Sequence, residues 1–266
     1  MVNELTLAAV QTSPVFGEVQ ANVDAALALV PAGCDLAVIP ELFASGYQFT
    51  GRTEARQFAE NLRTGDGYAM GRLTAAARDT GTTLVAGLVE QDGDRLYNSS
   101  VLVRPDGSRE IYRKVHLFLD EKDIFDPGDL GFPVYEACGT TVGMMICFDW
   151  VFPEAARSLA LAGAQILLHP SNLLLPWCPE AMKTRCLENR VFAVTANRVG
   201  SEQRTGQKLT FIGMSQVATP MGETPARLDT LETGVAVHRI SLAETDKALT
   251  PRNHLFDDRR PEAYRL

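Results

Sequence analysis

A thiol, a carboxylate and an ammonium each stand at the end of an apolar run in this chain. Cys147 closes "TTVGMMIC", just ahead of a Phe-Asp-Trp turn and Pro153. A proline there suits the first turn of a helix. Backbone N–H groups near a helix start, with a cation close by, would depress a thiol pKa and make a nucleophile. Taken alone, a cysteine in such a run reads first as a small core hydrophobe. Glu41 follows "LAVIP" at the carboxyl end of a strand, where α/β sheets bind ligands; alone it reads first as a solvated or capping residue. Lys114, in "IYRKVHLF", is either a charge held at a strand end or a snorkelling edge lysine. Brought together, the three would form a nucleophile, a general base and a fixed positive charge, the parts of acyl transfer through a covalent intermediate. Spacing along the chain does not by itself bring them together.

The elements that must do so are readable from periodicity. "LTLAAVQ" (5–11) and "LAVIP" (36–40) are continuous apolar strands, and Val23, Ala26, Leu27 and Val30 repeat at helical spacing between them. Helices are expected over residues 54–62 and 69–78, then a strand over 83–90. The turns at 91–94 and 105–108 set "RLYNSSVLVR" and "REIYRKV" as hairpin strands. "TTVGMMIC" is a strand and "PEAARSLALAG" a helix; "QILLHP", a helix near 180–190, and the strands "FAVTANRV", "TFIGMSQVATP" and "GVAVHRISL" follow. Continuous rather than alternating apolar strands require helices over the sheets. The expected fold is therefore α/β, a four-layer α-β-β-α sandwich of two mixed sheets flanked by helices. With no linker, composition break or repeat, one domain over residues 1–266 is expected.

Composition narrows the function. A formal net charge of −8 and the lack of a dense Lys/Arg run argue against a nucleic-acid partner. No apolar stretch is long enough to span a bilayer, and "MVNELTLAAVQTSP" has no signal-peptide pattern, so no membrane partner is expected. Five scattered cysteines (Cys34, Cys138, Cys147, Cys178 and Cys186), none in a C-x-x-C pair, suit a reducing cytoplasm better than a disulfide framework or zinc knuckle. His116, His169, His238 and His254 have no ligand spacing, so no metal is expected, and His116 and His169 read as structural hydrogen-bonding groups.

"PELFASGY" (40–47), "YRKVHLF" (112–118) and "MICFDWVFPEAARSLALAGAQILLHPSNL" (145–173) resemble, in order and spacing, the three signature blocks of the nitrilase superfamily of carbon–nitrogen hydrolases. The resemblance extends through "RCLENRVFAVTANRVG" (185–200) and "DDRRPEAYR" (257–265), and is closest to small single-domain nitrilases and amidases. It implies that Glu41, Lys114 and Cys147 are the Glu-Lys-Cys triad, with Cys147 the nucleophile. It also implies a second glutamate after the lysine block, for which Glu121 is the best match and Asp120 the fallback. The family's α-β-β-α sandwich commonly dimerises through the helices beside the nucleophile, so a homodimer or higher homo-oligomer is implied, and no metal or organic cofactor.

On this reading the Phe148 backbone N–H is a second oxyanion donor, and Tyr47, Phe118, Trp150 and Asn172 are candidates to line the pocket. The expected reaction is hydrolysis of a small aliphatic amide to a carboxylic acid and ammonia through a thioester. A nitrilase acting through the same thiol is the alternative, although "CFDW" resembles amidase branches more than the "CWEN" of many dedicated nitrilases. An inactive scaffold and a thiol-redox protein rank lower.

Overall fold

The structure, a computed structural model, describes residues 4–265. Along β1 (Glu4–Gln11), Leu5, Leu7 and Ala9 point one way and Ala8 and Val10 the other, yet all are buried. That is why the run is continuously apolar: both faces of the strand are covered.

After β1 come α1 (Val19–Ala28), β2 (Leu36–Val38), α2 (Arg52–Arg56), α3 (Tyr68–Thr80) and β3 (Thr83–Asp92). The chain continues through β4 (Arg95–Val103), β5 (Arg109–Arg113), the single turn α4 (Glu121–Ile124), β6 (Val134–Ala137) and β7 (Thr140–Met144). Then follow α5 (Pro153–Leu161), β8 (Ile166–Pro170), α6 (Trp177–Asn189) and β9 (Phe192–Ala196). A ribbon of β10 (Ser201–Glu202) and β11 (Leu209–Thr210) precedes β12 (Gln216–Ala218), β13 (Ala226–Arg227) and β14 (Gly234–Ser241). A second ribbon, β15 (Ala248–Thr250) with β16 (Asn253–His254), lies near the C-terminus.

Two six-stranded sheets result, ordered β14-β1-β2-β3-β4-β5 and β13-β12-β9-β8-β7-β6. Leu5, Leu7, Leu36, Val38 and Val85 from the first meet Val142, Met144, Ile166, Leu168 and Phe192 from the second in one core. The other face of the first sheet packs on Val23 and Ala26 of α1 and Met70, Leu73 and Ala77 of α3. Ala156, Leu159, Cys178, Met182 and Cys186 bring α5 and α6 onto the second sheet. The expected helix–sheet–sheet–helix sandwich is the observed one.

Strand direction places the chemistry. β1, β2 and β3 run parallel, as do β7, β8 and β9. β4 is antiparallel to both β3 and β5, so β5 ends on the same side as β2.

Several expected boundaries move. The helix at 54–62 is only Arg52–Arg56, because Glu60 instead pairs with β3: its N–H donates to Val89 (3.0 Å) and its carbonyl accepts from Gln91 (3.0 Å). The long strand over 210–220 shrinks to Gln216–Ala218, since Gly213 and Met214 take φ of 61° and 59° and bend the chain. The strand before Cys147 stops at Met144, and β6 and α4 had no counterpart in the sequence reading.

Candidate active site

Glu41 lies just past β2, on a turn held against β3. The Ile39 N–H donates to Val85 (2.7 Å) and the Gly87 N–H to the Pro40 carbonyl (3.2 Å). Only glycine fits at position 87: a Cβ there would sit 2.4 Å from the Cα of Glu41. Lys114 follows the last residue of β5, its N–H donating to Asn98 of β4 (2.9 Å).

Cys147 begins a 3-10 turn, Cys147–Val151, that leads into α5. The Asp149 carboxylate shapes it. Oδ2 accepts the Ile146 N–H (2.8 Å) and the Tyr112 hydroxyl (2.7 Å), while Oδ1 accepts the His116 N–H (3.2 Å) and lies 2.8 Å from His116 Nδ1. Cys147 itself sits at φ 39°, a left-handed conformation that costs a residue with a Cβ on the order of 1–3 kcal/mol. His169 Nε2 donates to the Cys147 carbonyl (2.9 Å), because a carbonyl can only accept; Nδ1 is then the acceptor facing the Thr195 hydroxyl (3.2 Å).

The charged groups form a closed cluster. Lys114 Nζ donates to Glu41 Oε1 at 2.7 Å, and both oxygens of Glu121 lie 2.8 Å from it. Glu121 is fixed in turn by the Tyr47 hydroxyl (2.6 Å) and the Phe118 N–H (3.2 Å). Asn98 Nδ2 also donates to Glu41 Oε1 (2.7 Å), and Asn172 Nδ2 to the Glu41 carbonyl (2.9 Å). Glu41 Oε2 is buried without a partner.

Burial raises the Glu41 pKa, the Lys114 charge opposes, and the result is a carboxyl above its ordinary 4.5. Burial alone would lower Lys114, but the carboxylates of Glu121 and Glu41 outweigh it and keep the ammonium charged. Burial lifts the Cys147 thiol well above its ordinary 9.0, Glu41 adds to the rise, and Lys114 counters it only in part. The resting thiol is therefore protonated, and the base that removes its proton must be close by.

A cavity of about 300 Å³ opens beside Cys147, lined by Phe118, Phe148, Trp150, Val151, Asn172, Leu173, Leu174, Leu175 and Trp177. Phe118, Trp150 and Asn172, candidates to line the pocket, are among these residues, as is Phe148. Tyr47, the other candidate, is not among them, and its hydroxyl donates to Glu121. Asp120, the fallback for Glu121, is exposed. Asn98 was missed, although a polar residue inside the apolar strand "LYNSSVLV" was a signal. The structural part of Asp149 was missed too, because it depends on contacts with Tyr112 and His116 that no local pattern encodes. All five cysteines are free, and Cys34, Cys178 and Cys186 are buried packing residues.

Comparison with known proteins gives this arrangement its context. Residues 6–248 match the family model described as carbon–nitrogen hydrolase. A protein named nitrilase from Pyrococcus abyssi is 45% identical over 263 residues, covering 97% of this chain and 98% of the relative. An (R)-stereoselective amidase from a Pseudomonas species is 38% identical over 74% of this chain and 70% of its own length. Among solved structures, a glutamate-to-glutamine mutant of the amidase from Nesterenkonia sp. AN1 superposes with a TM-score of 0.81 at 29% identity, covering 98% of this chain and 95% of the other; that mutant structure shows the acetamide moiety of fluoroacetamide added covalently at its active-site cysteine. With the family model matching residues 6–248 and the Pyrococcus abyssi relative covering 97% of it, the chain belongs to the carbon–nitrogen hydrolase family, the nitrilase superfamily.

Proposed function

We propose that this carbon–nitrogen hydrolase is a cysteine amidase that cleaves small aliphatic primary amides to carboxylic acid and ammonia, with Glu41, Lys114 and Cys147 as catalytic residues and Glu121 holding Lys114. The observation that carries the reading is the buried Glu41–Lys114–Glu121 cluster within electrostatic reach of Cys147, at the end of a cavity.

In this mechanism the thiol proton passes to Glu41, through the unpartnered Oε2, as sulfur attacks the amide carbon. Lys114 has three N–H bonds; Glu41 and Glu121 occupy two, and the third meets the developing oxyanion together with the Phe148 N–H. Charge supports the sequence of events. Protonating Glu41 cancels one of the two carboxylates beside Lys114 just as the oxyanion appears. Glu41 then gives its proton to the departing nitrogen, ammonia leaves, and a thioester remains. Glu41 next takes a proton from water, whose oxygen attacks the thioester; the carbon–sulfur bond breaks, the acid departs, and Glu41 returns the proton to sulfur, restoring the thiol.

Nitrile hydrolysis by the same thiol is the second reading, favoured by the 45% identity to the Pyrococcus abyssi nitrilase. Ammonia release from butanamide and butyronitrile separates the two. The amide should be turned over faster, and Cys147→Ala should abolish both activities. Nitrile turnover at least equal to the amide would reverse the order, and activity surviving in Cys147→Ala would end the reading.

The same proposal includes a cytoplasmic homodimer formed through α5 and α6. Leu161 and Leu187 on these helices are exposed apolar residues, which suits such an interface.

A further inference from the structure

Apart from the reacting end, the cavity beside Cys147 is uniform. Among the described residues, the ten that line it include no charged side chain, and their polar groups are those of Cys147 and Asn172 and the indole N–H of Trp150 and Trp177. Asn172 is already engaged by the Glu41 carbonyl. The charged groups behind Cys147 do not line the cavity: Lys114 bonds both Glu41 and Glu121, and Glu41 Oε2 is left for the thiol proton. Farther along, Arg185 bonds the Trp150 carbonyl and Glu188, and Glu180 bonds Lys183 and Arg227. A substrate carrying its own charge would find no counter-ion along the cavity wall.

Size gives the second constraint. About 300 Å³ is far more than an acetyl group fills. It is roughly twice an apolar cavity of about 150 Å³ that admits benzene elsewhere. The wall opposite Asn172 in chemistry is aromatic and branched: Phe148, Trp150, Val151 and Leu174, leading to a rim where Leu175 and Trp177 are exposed.

We infer that the acyl pocket selects neutral, apolar acyl groups of about butyl to phenylalkyl size and rejects amides bearing an ammonium or carboxylate on the acyl chain. The inference rests on the amidase reading above and adds the substrate class to it. Each methylene buried should raise kcat/KM about fourfold until the cavity is filled. A charge moved into an apolar wall without a partner meets a desolvation penalty that contacts there do not offset.

The test compares isosteres. Pentanamide and 4-aminobutanamide differ by a methyl against an ammonium, and succinamic acid supplies the anionic case. The expected result is kcat/KM rising from acetamide through pentanamide to phenylacetamide, with 4-aminobutanamide and succinamic acid at least ~100-fold below pentanamide. Calorimetric binding of the same compounds to Cys147→Ala should follow the same order without turnover. In Leu175→Asp, a change at the exposed rim, the ratio of pentanamide to 4-aminobutanamide should shrink at least ~5-fold, since a counter-ion is then available. A flat series, or an ammonium-bearing amide bound or turned over as well as pentanamide, would overturn the inference while leaving Cys147-dependent hydrolysis intact. Ammonia release that survives Cys147→Ala would instead overturn the reading on which it rests.

Discussion

Two carboxylates and one ammonium form a buried cluster whose charges act on Cys147, and their negative balance works against a resting thiolate. Activation must then coincide with attack, and Glu41 has two separable effects on Cys147: it accepts the proton, and its charge holds the thiol pKa up. Glu41→Gln should lower kcat by about 10²–10⁴ while shifting the Cys147 titration, followed by thiolate ultraviolet absorbance, to lower pH. A pre-formed thiolate–lysine pair would instead show thiolate absorbance already at neutral pH in the parent enzyme. The pH profile has a definite sign. Glu41 must be ionised to act as base, and its pKa is raised, so kcat/KM should fall as pH drops through a midpoint above 4.5. A profile flat down to the ordinary carboxylate range would remove Glu41 from the base role.

At the scale of elements, the site is made where strands stop. Gly87 in β3 lets the Glu41 turn approach to a distance no side chain allows. Gly87→Ala should lower the melting temperature through overpacking of about 1–3 kcal/mol, and reduce kcat/KM by about 10² through displacement of Glu41. Loss of stability with full activity in the remaining folded enzyme would show that the turn does not position the base. These strand ends also mark what the sequence made legible. "LAVIP" and "TTVGM" read as strands because both sheet faces are covered, and "REIYR", at the sheet edge, from the hairpin turn before it; the reactive residues just beyond them were visible as interruptions of these runs. The turn geometry was not. The left-handed conformations of Leu42 and Cys147 depend on side-chain and backbone partners remote in sequence. The misread helix after Arg56 was lost to pairing between Glu60 and β3, and Tyr47 went to Glu121 rather than the cavity, for the same reason.

The sandwich as a whole carries a buried histidine at its centre. Burial holds His169 at a pKa of about 4, below its ordinary 6.5, with its hydrogen bond to the Cys147 carbonyl opposing only in part. A depressed pKa contributes stability that is present above 6.5 and lost as pH falls toward 4, on the order of 3 kcal/mol. The melting temperature should therefore fall across that window, and less steeply in His169→Gln; parallel curves would place the acid sensitivity elsewhere. Assembly is tested on the same scale. Light scattering should give a dimer mass, and Leu161→Arg with Leu187→Arg should give a monomer; a monomeric parent enzyme would contradict the proposed interface.

A covalent bond between substrate carbon and one particular sulfur is the claim on which the rest turns, and intact-protein mass spectrometry reads it directly. Glu41→Gln incubated with fluoroacetamide and quenched in acid should gain the mass of the acetamide group as fluoride leaves, with peptide mapping assigning it to Cys147. An adduct on Cys34, Cys138, Cys178 or Cys186 alone, or undiminished turnover with Cys147 unmodified and dispensable, would contradict the account.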